Sequence, residues 1–216
     1  WGTFKLLPIR SIAVKGDAAK FRALNWMNDG MTGGVEDMIF NGKVGEDGNL
    51  SFEGHAIPGD NDYDAKLKMV KGDNGGYIKM DYGNFRKWYD VYGGSYSNFT
   101  GSSSIARLAA DPKMDMGHFF FEIGSNSNIL ETVPGASLSY ERKTKEGIKN
   151  RLTWGTVTQS TIQRKIYPSW QEVDEVTDVI ALKGNTEVAG INLSGQQRAE
   201  FVNARTFRED NSTTTS

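Results

Sequence analysis

Few residues in this chain have the types and spacing that chemistry requires. Asp60-Asn61-Asp62-Tyr63-Asp64 sets carboxylates at every second position, as the start of a calcium loop does. The sixth position is Ala65, where such a loop needs glycine, and the twelfth is Lys71, where a bidentate glutamate belongs. The segment therefore reads as a solvated loop, and a looser calcium site at Asp60, Asp62 and Asp64 stays open as an alternative. Two histidines, His55 and His118, are too few for a multi-histidine metal site, and both fall on expected strands. Glu172, Asp174 and Glu175 could pair as acid and base, but no cleft-forming pattern flanks them. Gly75-Gly76 and Gly93-Gly94 are not phosphate loops, because no Gly-Lys-Ser/Thr follows and no strand-to-helix unit surrounds them. Phe85, Trp88, Tyr89, Tyr92 and Tyr96 form an aromatic cluster that could stack sugars, although a girdle or core is the commoner use. No catalytic set emerges, and the chain is expected to be non-enzymatic.

Composition narrows the classes further. With 25 basic and 27 acidic residues spread along 216, no electrostatic footprint for nucleic acid exists. No cysteine is present, so this chain holds no disulfide, no thiolate zinc site and no covalently attached c-type haem; haem is expected only in a partner. The longest apolar runs are as short as Phe119-Phe120-Phe121, which excludes a membrane-spanning helix of about 20 apolar residues. Twenty-five glycines against five prolines call for many turns and few rigid ones.

The elements that must position these residues show period two. Ala65, Leu67 and Met69 alternate with Asp64, Lys66 and Lys68; beyond Asn74-Gly75, which suits a tight turn, Ile78, Met80 and Tyr82 alternate with Tyr77, Lys79 and Asp81. That is a β-hairpin. Met38, Phe40, Gly42 and Val44 form a second with Leu50, Phe52, Gly54 and Ala56 through residues 46–49. A third is expected from Ala136-Leu138-Tyr140, a turn at 145–147, and Ile148, Asn150, Leu152 and Trp154, with Lys149 and Arg151 on the opposite face. Three more strands are expected at 176–182, 186–193 and 198–207, with turns at 183–185 and 194–197, although Trp170, Val173, Val176 and Ile180 compete at helical spacing. Asp17 to Trp26 reads as a short capped helix with Phe21 and Leu24 on one face. The expected class is all-β: an antiparallel meander of hairpins, with no internal domain boundary over 1–216. Short turns near 45–48, 72–75, 145–147 and 183–185 contrast with long stretches at 93–117 and 157–175, as in an outer-membrane barrel.

Period two alone does not say which solvent each face meets. A soluble sandwich turns its apolar face to a core, and a membrane barrel turns it to lipid. Tyr82, Tyr140 and Trp154 lie at the ends of apolar rows, where an aromatic girdle belongs; Arg142 and Asn150 on those rows count the other way.

The run from Leu138 to Gly155 (LSYERKTKEGIKNRLTWG), with Arg164-Lys-Ile-Tyr-Pro168 and Val173-Asp-Glu-Val-Thr-Asp178, resembles outer-membrane β-barrels of the decahaem-associated, porin-cytochrome type. Asp17-Ala-Ala-Lys-Phe-Arg22 and Asn84 to Gly94 are similar to the front portion of such proteins. The resemblance is one of strand texture and scattered short matches over most of the chain. It implies a barrel in the bacterial outer membrane that sheathes a multihaem c-type cytochrome, with Leu67, Met69, Ile78, Met80, Leu138 and Leu152 toward lipid. Tyr82, Tyr140 and Trp154 would form the girdle, and Lys66, Lys68, Lys79, Asp81, Lys149 and Arg151 would face the lumen. The chain departs from the family in lacking the cysteine pair that some members carry and in being much shorter, so it reads as an amino-terminal portion. The alternatives are a passive porin or structural outer-membrane protein, and a secreted carbohydrate-binding β-sandwich.

Overall fold

A computed structural model describes residues 1–72, 75–89, 111–125, 135–159, 162–188 and 191–210; the side chains of 7, 8, 152–169, 188, 192, 209 and 210 lie outside the description. Nine described strands form one sheet in sequence order: β1 (Gly2–Ile12), β2 (Gly30–Val44), β3 (Gly48–Ile57), β4 (Asp62–Lys71), β5 (Gly76–Trp88), β6 (Lys113–Ser125), β7 (Gly135–Gln159), β8 (Ile162–Val188) and β9 (Ile191–Asp210). Every neighbouring pair is antiparallel. The all-β antiparallel meander expected from the alternation is the observed fold, and the described strands form one sheet rather than the two of a sandwich.

The first two expected hairpins are present, as β2–β3 and β4–β5. Phe40 faces Phe52 across β2 and β3, and Leu67 faces Met80 across β4 and β5. Asn74, assigned to the tight turn, lies outside the described residues. Later turns differ from expectation. Residues 145–147 lie inside β7, where Gly147 pairs with Met114 on one side and Val173 on the other. Residues 183–185 and 194–197 also lie within strands, with Gly184 opposite Gly195. The stretch expected as a long loop at 157–175 is mostly the end of β7 and the start of β8. Glycine-centred polar triplets signal a turn only when no partner strand claims their backbone groups. Here neighbouring strands claim them, from both sides at Gly147 and Gly184 and from β8 at Gly195. The helical spacing at 170–180 also gives way to strand, because the long ladders with β7 and β9 satisfy β8 throughout.

The short helix is present as α1 (Ala18–Asn25). Asp17 caps it, its carboxylate accepting from the amides of Ala19 at 3.0 Å and Lys20 at 3.1 Å, and Trp26 ends it in the left-handed conformation. Leu24 is exposed, so the expected Leu24 face does not seat the helix. Arg22 does: it pairs with Asp29 at 2.5 Å and with Asp111, and stacks 5.3 Å from the centre of the Trp88 ring at the end of β5. The Arg22 hydrogen bond holds the Asp29 carboxyl below its ordinary range. Nearby, Asp60 is buried and accepts from Arg10 and, at 2.8 Å, from the Asn28 amide, tying the 3-10 turn Pro58–Asp60 to the segment that enters β2.

Gly147 has φ +145°, and a Cβ there would run into the Lys113 carbonyl oxygen and the Met114 backbone, whereas a Cβ at Gly195 meets nothing within 4 Å. Gly147→Val should lower the folded fraction on refolding, with a strain cost of about 1–3 kcal/mol, while Gly195→Ala should refold as the parent does. Gel mobility and thermal unfolding of the refolded variants check this. Arg22→Ala should speed amide exchange over 18–25 while leaving β3–β7 protected. Acidification through the carboxylate range should loosen α1 in the same direction, because a depressed pKa contributes its stability only while Asp29 is ionised.

Candidate functional site: the two faces of the sheet

From β3 to β7 the register runs without a shift, so side chains of one parity share one face. One cross-strand row reads Phe40, Phe52, Leu67, Met80, Phe121, Tyr140, Ile180, Ala199. The next reads Gly42, Leu50, Met69, Ile78, Ile123, Leu138, Leu182. On the other side of the first, Met38, Gly54, Ala65, Tyr82 and Phe119 lead to Arg142, Asp178 and Phe201. This face carries no charge in its two central rows through β8. Along β2, from Val35 to Val44, its apolar side chains extend about 30 Å at 3.3 Å per residue. Tilted by about 40°, that approaches the roughly 25 Å apolar band of an outer-membrane barrel.

The opposite face is polar. Its rows include Asn41, Ser51, Lys68, Lys79, Glu122, Ser139, Ala181, Arg198 and, beside it, Ile39, Glu53, Lys66, Asp81, Phe120, Glu141, Val179, Glu200. Burial over β6–β8 is inverted relative to a soluble sheet. Glu122 is 5% exposed, and Ser137, Ser139 and Thr177 are buried with it; on the apolar face Leu138 is 50% and Leu182 57% exposed. The polar side is the sheltered side there. Over β3 and β4 the relation is reversed, with Glu53, Lys66 and Lys68 exposed and Leu50, Phe52, Leu67 and Met69 half-buried, so the inversion is confined to β6–β8.

Sheltered polar groups need partners, and the polar face supplies them. Tyr77 donates its hydroxyl to Glu122 at 2.6 Å; Lys79 lies 3.3 Å and Lys183 3.8 Å from the same carboxylate. Further along, His118 Nε2 lies 3.0 Å from Glu141, which also pairs with Lys143 at 2.9 Å, and His55 Nε2 lies 3.0 Å from Asp62. One row joins His55, Asp64, Gly83, His118, Lys143 and Thr177, so Gly83 leaves a notch between the histidines.

The residues singled out from sequence fall as follows. Leu67, Met69, Ile78, Met80 and Leu138 share the apolar face, and Lys66, Lys68, Lys79 and Asp81 share the polar one. Tyr82 stands in the row that borders Arg142. Tyr140 stands one row inside that border, where its hydroxyl reaches out to Asp178 at 2.6 Å. Leu152 and Trp154 belong to β7, but their side chains lie outside the described residues. Since no turn intervenes at 145–147, Leu152 is some 46 Å along the same strand from Leu138, too far to share one band about 25 Å tall. Lys149 and Arg151 keep the parity of the polar face on this same extension, where Arg151 bonds Gln171 at 3.2 Å.

The carboxylates at Asp60, Asp62 and Asp64 are separately engaged, by Arg10 with Asn28, by His55 and by Lys66 at 3.1 Å. They do not converge, and Asp60 is buried rather than solvated. Glu175 pairs with Lys145 at 2.8 Å, on the opposite face from Glu172 and Asp174. Trp88 is buried under Arg22, Arg86 and Lys113, leaving no open ring face for a sugar; Tyr92 and Tyr96 lie outside the described residues. Sequence reasoning missed the Glu122 cluster. Its signal was present as the alternation of Phe119, Phe121 and Ile123 with Phe120 and Glu122.

Glu122→Ala strands two lysines and a tyrosine hydroxyl around a void and should cost about 1–3 kcal/mol in thermal unfolding. Glu122→Gln, which keeps an acceptor for Tyr77, should cost less. Equal losses would mean that the carboxylate only fills space.

Comparison with known proteins adds no further constraint: no family model, curated protein or solved structure matches this chain.

Proposed function

We propose that this chain is a wall segment of a β-barrel in a bacterial outer membrane, non-enzymatic, with its apolar face toward lipid and its polar face toward a lumen. The observation that carries the reading is the inverted burial: Glu122, Ser137, Ser139 and Thr177 are sheltered on one face while Leu138, Ile180 and Leu182 are exposed on the other. In water that arrangement leaves a broad apolar surface without cover. In a bilayer the same surface meets its solvent, and the hydrogen-bonded ladder satisfies the backbone where no water can. Tyr82 and the Tyr140–Asp178–Arg142 group mark one border of the band, as amphipathic side chains do at headgroup level.

The lumen's occupant is a multihaem c-type cytochrome in this reading, which makes the barrel the sheath of an electron conduit. Its support is the resemblance of the Leu138–Gly155 run and its companions to porin-cytochrome barrels, together with a polar lining able to grip a folded partner. The barrel itself contributes insulation and position rather than a redox centre.

Arginine at Leu67 or Met80 should destabilise the bilayer-refolded protein by about 2–4 kcal/mol, several times the effect of arginine at Lys66. Equal tolerance on both faces would refute the lipid assignment. Extraction of the native protein from membranes in mild detergent separates the occupants. A reduced c-type haem spectrum that co-migrates with this cysteine-free chain supports the conduit, a colourless detergent-dependent protein leaves a passive porin, and a protein that never needs detergent ends the membrane reading.

A further inference from the structure

The border of the apolar face holds an open cleft of about 380 Å³. It lies in the interior of the sheet, across β5, β6 and β7, where the register is unbroken. Three cross-strand rows build it. Tyr82, Phe119 and Arg142 form the row that closes the apolar band; Asn84, Gly117 and Thr144 form the next, and Arg86, Asp115 and Glu146 the third. Gly117 opens the middle row, because a Cβ there would run into the Thr144 hydroxyl. His118 adjoins the cleft, but its imidazole pairs with Glu141 on the opposite face.

The charges around this cleft are balanced. Asp115 is held by Arg86 through two hydrogen bonds, at 2.6 and 2.7 Å. Arg142 then stands at one end and Glu146 at the other, both exposed, with Asn84 and Thr144 between them. Arg142 Nε is 3.7 Å from Asp178, beyond hydrogen-bond length, so its fork of N–H donors has capacity for an oxyanion. Glu146 lies directly between Asp115 and Asp174 of the neighbouring strands, a like-charge setting that draws a cation from outside the sheet. The two residues are some 13 Å apart along β7, which at a tilt of about 40° is roughly 10 Å of depth. The long Arg142 stem can turn upward and narrow that toward the polar layer on one side of a bilayer, about 5–8 Å. One positive and one negative end suit a zwitterion, whereas a purely anionic ligand would face Glu146 with its own sign. Both aromatic rings lie in the Arg142 row, so no aromatic cage for a quaternary ammonium surrounds Glu146. Its carboxylate and the oxygens of Asn84 and Thr144 can instead accept from the three N–H groups of a primary ammonium.

We propose that this cleft binds the headgroup of a membrane phospholipid that carries both a phosphate and a primary ammonium, phosphoethanolamine being the simplest. Arg142 takes the phosphate, Glu146 with Asn84 and Thr144 takes the ammonium, and Tyr82 and Phe119 lie against the start of the acyl chains. The proposal rests on the lipid-facing reading of this side and adds to it a preference among lipids.

The test is native mass spectrometry of the protein extracted from its own membrane in mild detergent, stripped of lipid and titrated with phosphatidylethanolamine, phosphatidylcholine or phosphatidylglycerol. The expected result is that phosphatidylethanolamine binds about tenfold more tightly than either of the others, the difference one hydrogen-bonded charge pair makes. Glu146→Gln should erase its advantage over phosphatidylcholine, and Arg142→Gln should weaken both about tenfold. Both side chains are exposed, so neither substitution opens a void, and the parent titration with Glu146→Gln decides the matter even without the second variant. Equal binding of the three lipids by the parent overturns the proposal, as does tightest binding of phosphatidylglycerol, a full preference kept by Glu146→Gln, or unchanged affinity in Arg142→Gln. Solubility separates this outcome from the wider reading: a protein that never needs detergent refutes the barrel wall, whereas a detergent-dependent protein without a lipid preference refutes only the headgroup cleft.

Discussion

The unshifted register through the middle of the sheet is the constraint on which everything else depends. Side chains alternate with period two, so a slip of one residue in any central pair would move Leu67 and Met80 onto the polar face and Lys66 and Asp81 onto the apolar one. The observed shifts lie toward the margins, in β1–β2, between Val35 and Met38 of β2, and between Trp154 and Val157 near the far end of β7. Hydrogen bonds fix the strands to one another, and two chemically opposite faces follow from that.

Keeping the register costs something on the polar face, because β6–β8 shelter charged groups there. Lys68 stands directly opposite Lys79, a like-charge pair that alone is unfavourable. Glu122 offsets it by drawing Lys79 toward β6, and Lys183 and the Tyr77 hydroxyl complete that carboxylate's surroundings. Glu141 serves His118 and Lys143 in the same way. These links tie β5, β6, β7 and β8 together across the face that carries the polar groups. The apolar face carries such links only along its border, at Tyr140, Arg142 and Asp178; its central rows ask only for an apolar neighbour or an apolar solvent.

Much of this was legible in the sequence, and the rest was hidden for identifiable reasons. The hairpins around Phe40–Phe52 and Leu67–Met80 could be read because alternation and turn chemistry agreed there. The long strands β7 and β8 were cut into shorter pieces, because Gly147, Gly184 and Gly195 sit among turn-forming residues and local sequence cannot show that a neighbouring strand claims their backbone groups. Glu122 escaped notice for a related reason: its partners Tyr77, Lys79 and Lys183 come from two other strands. The alternation gave two faces but not which one is sheltered. That difference appears only once Ser137, Ser139 and Thr177 are found buried while Leu138 and Leu182 are exposed.

The central claim is that the apolar face meets lipid. A chain without cysteine permits its most direct test, since single cysteines at 67, 69, 78 and 80, and at 66, 68, 79 and 81, can each carry a spin label in the membrane-embedded protein. Collision rates with dissolved oxygen and with a water-soluble nickel chelate are then compared. The account predicts a period-two pattern in which 67, 69, 78 and 80 favour oxygen and the alternate positions do not. Chelate access equal at both sets, or an apolar set shielded from both reagents as in a protein core, would contradict it.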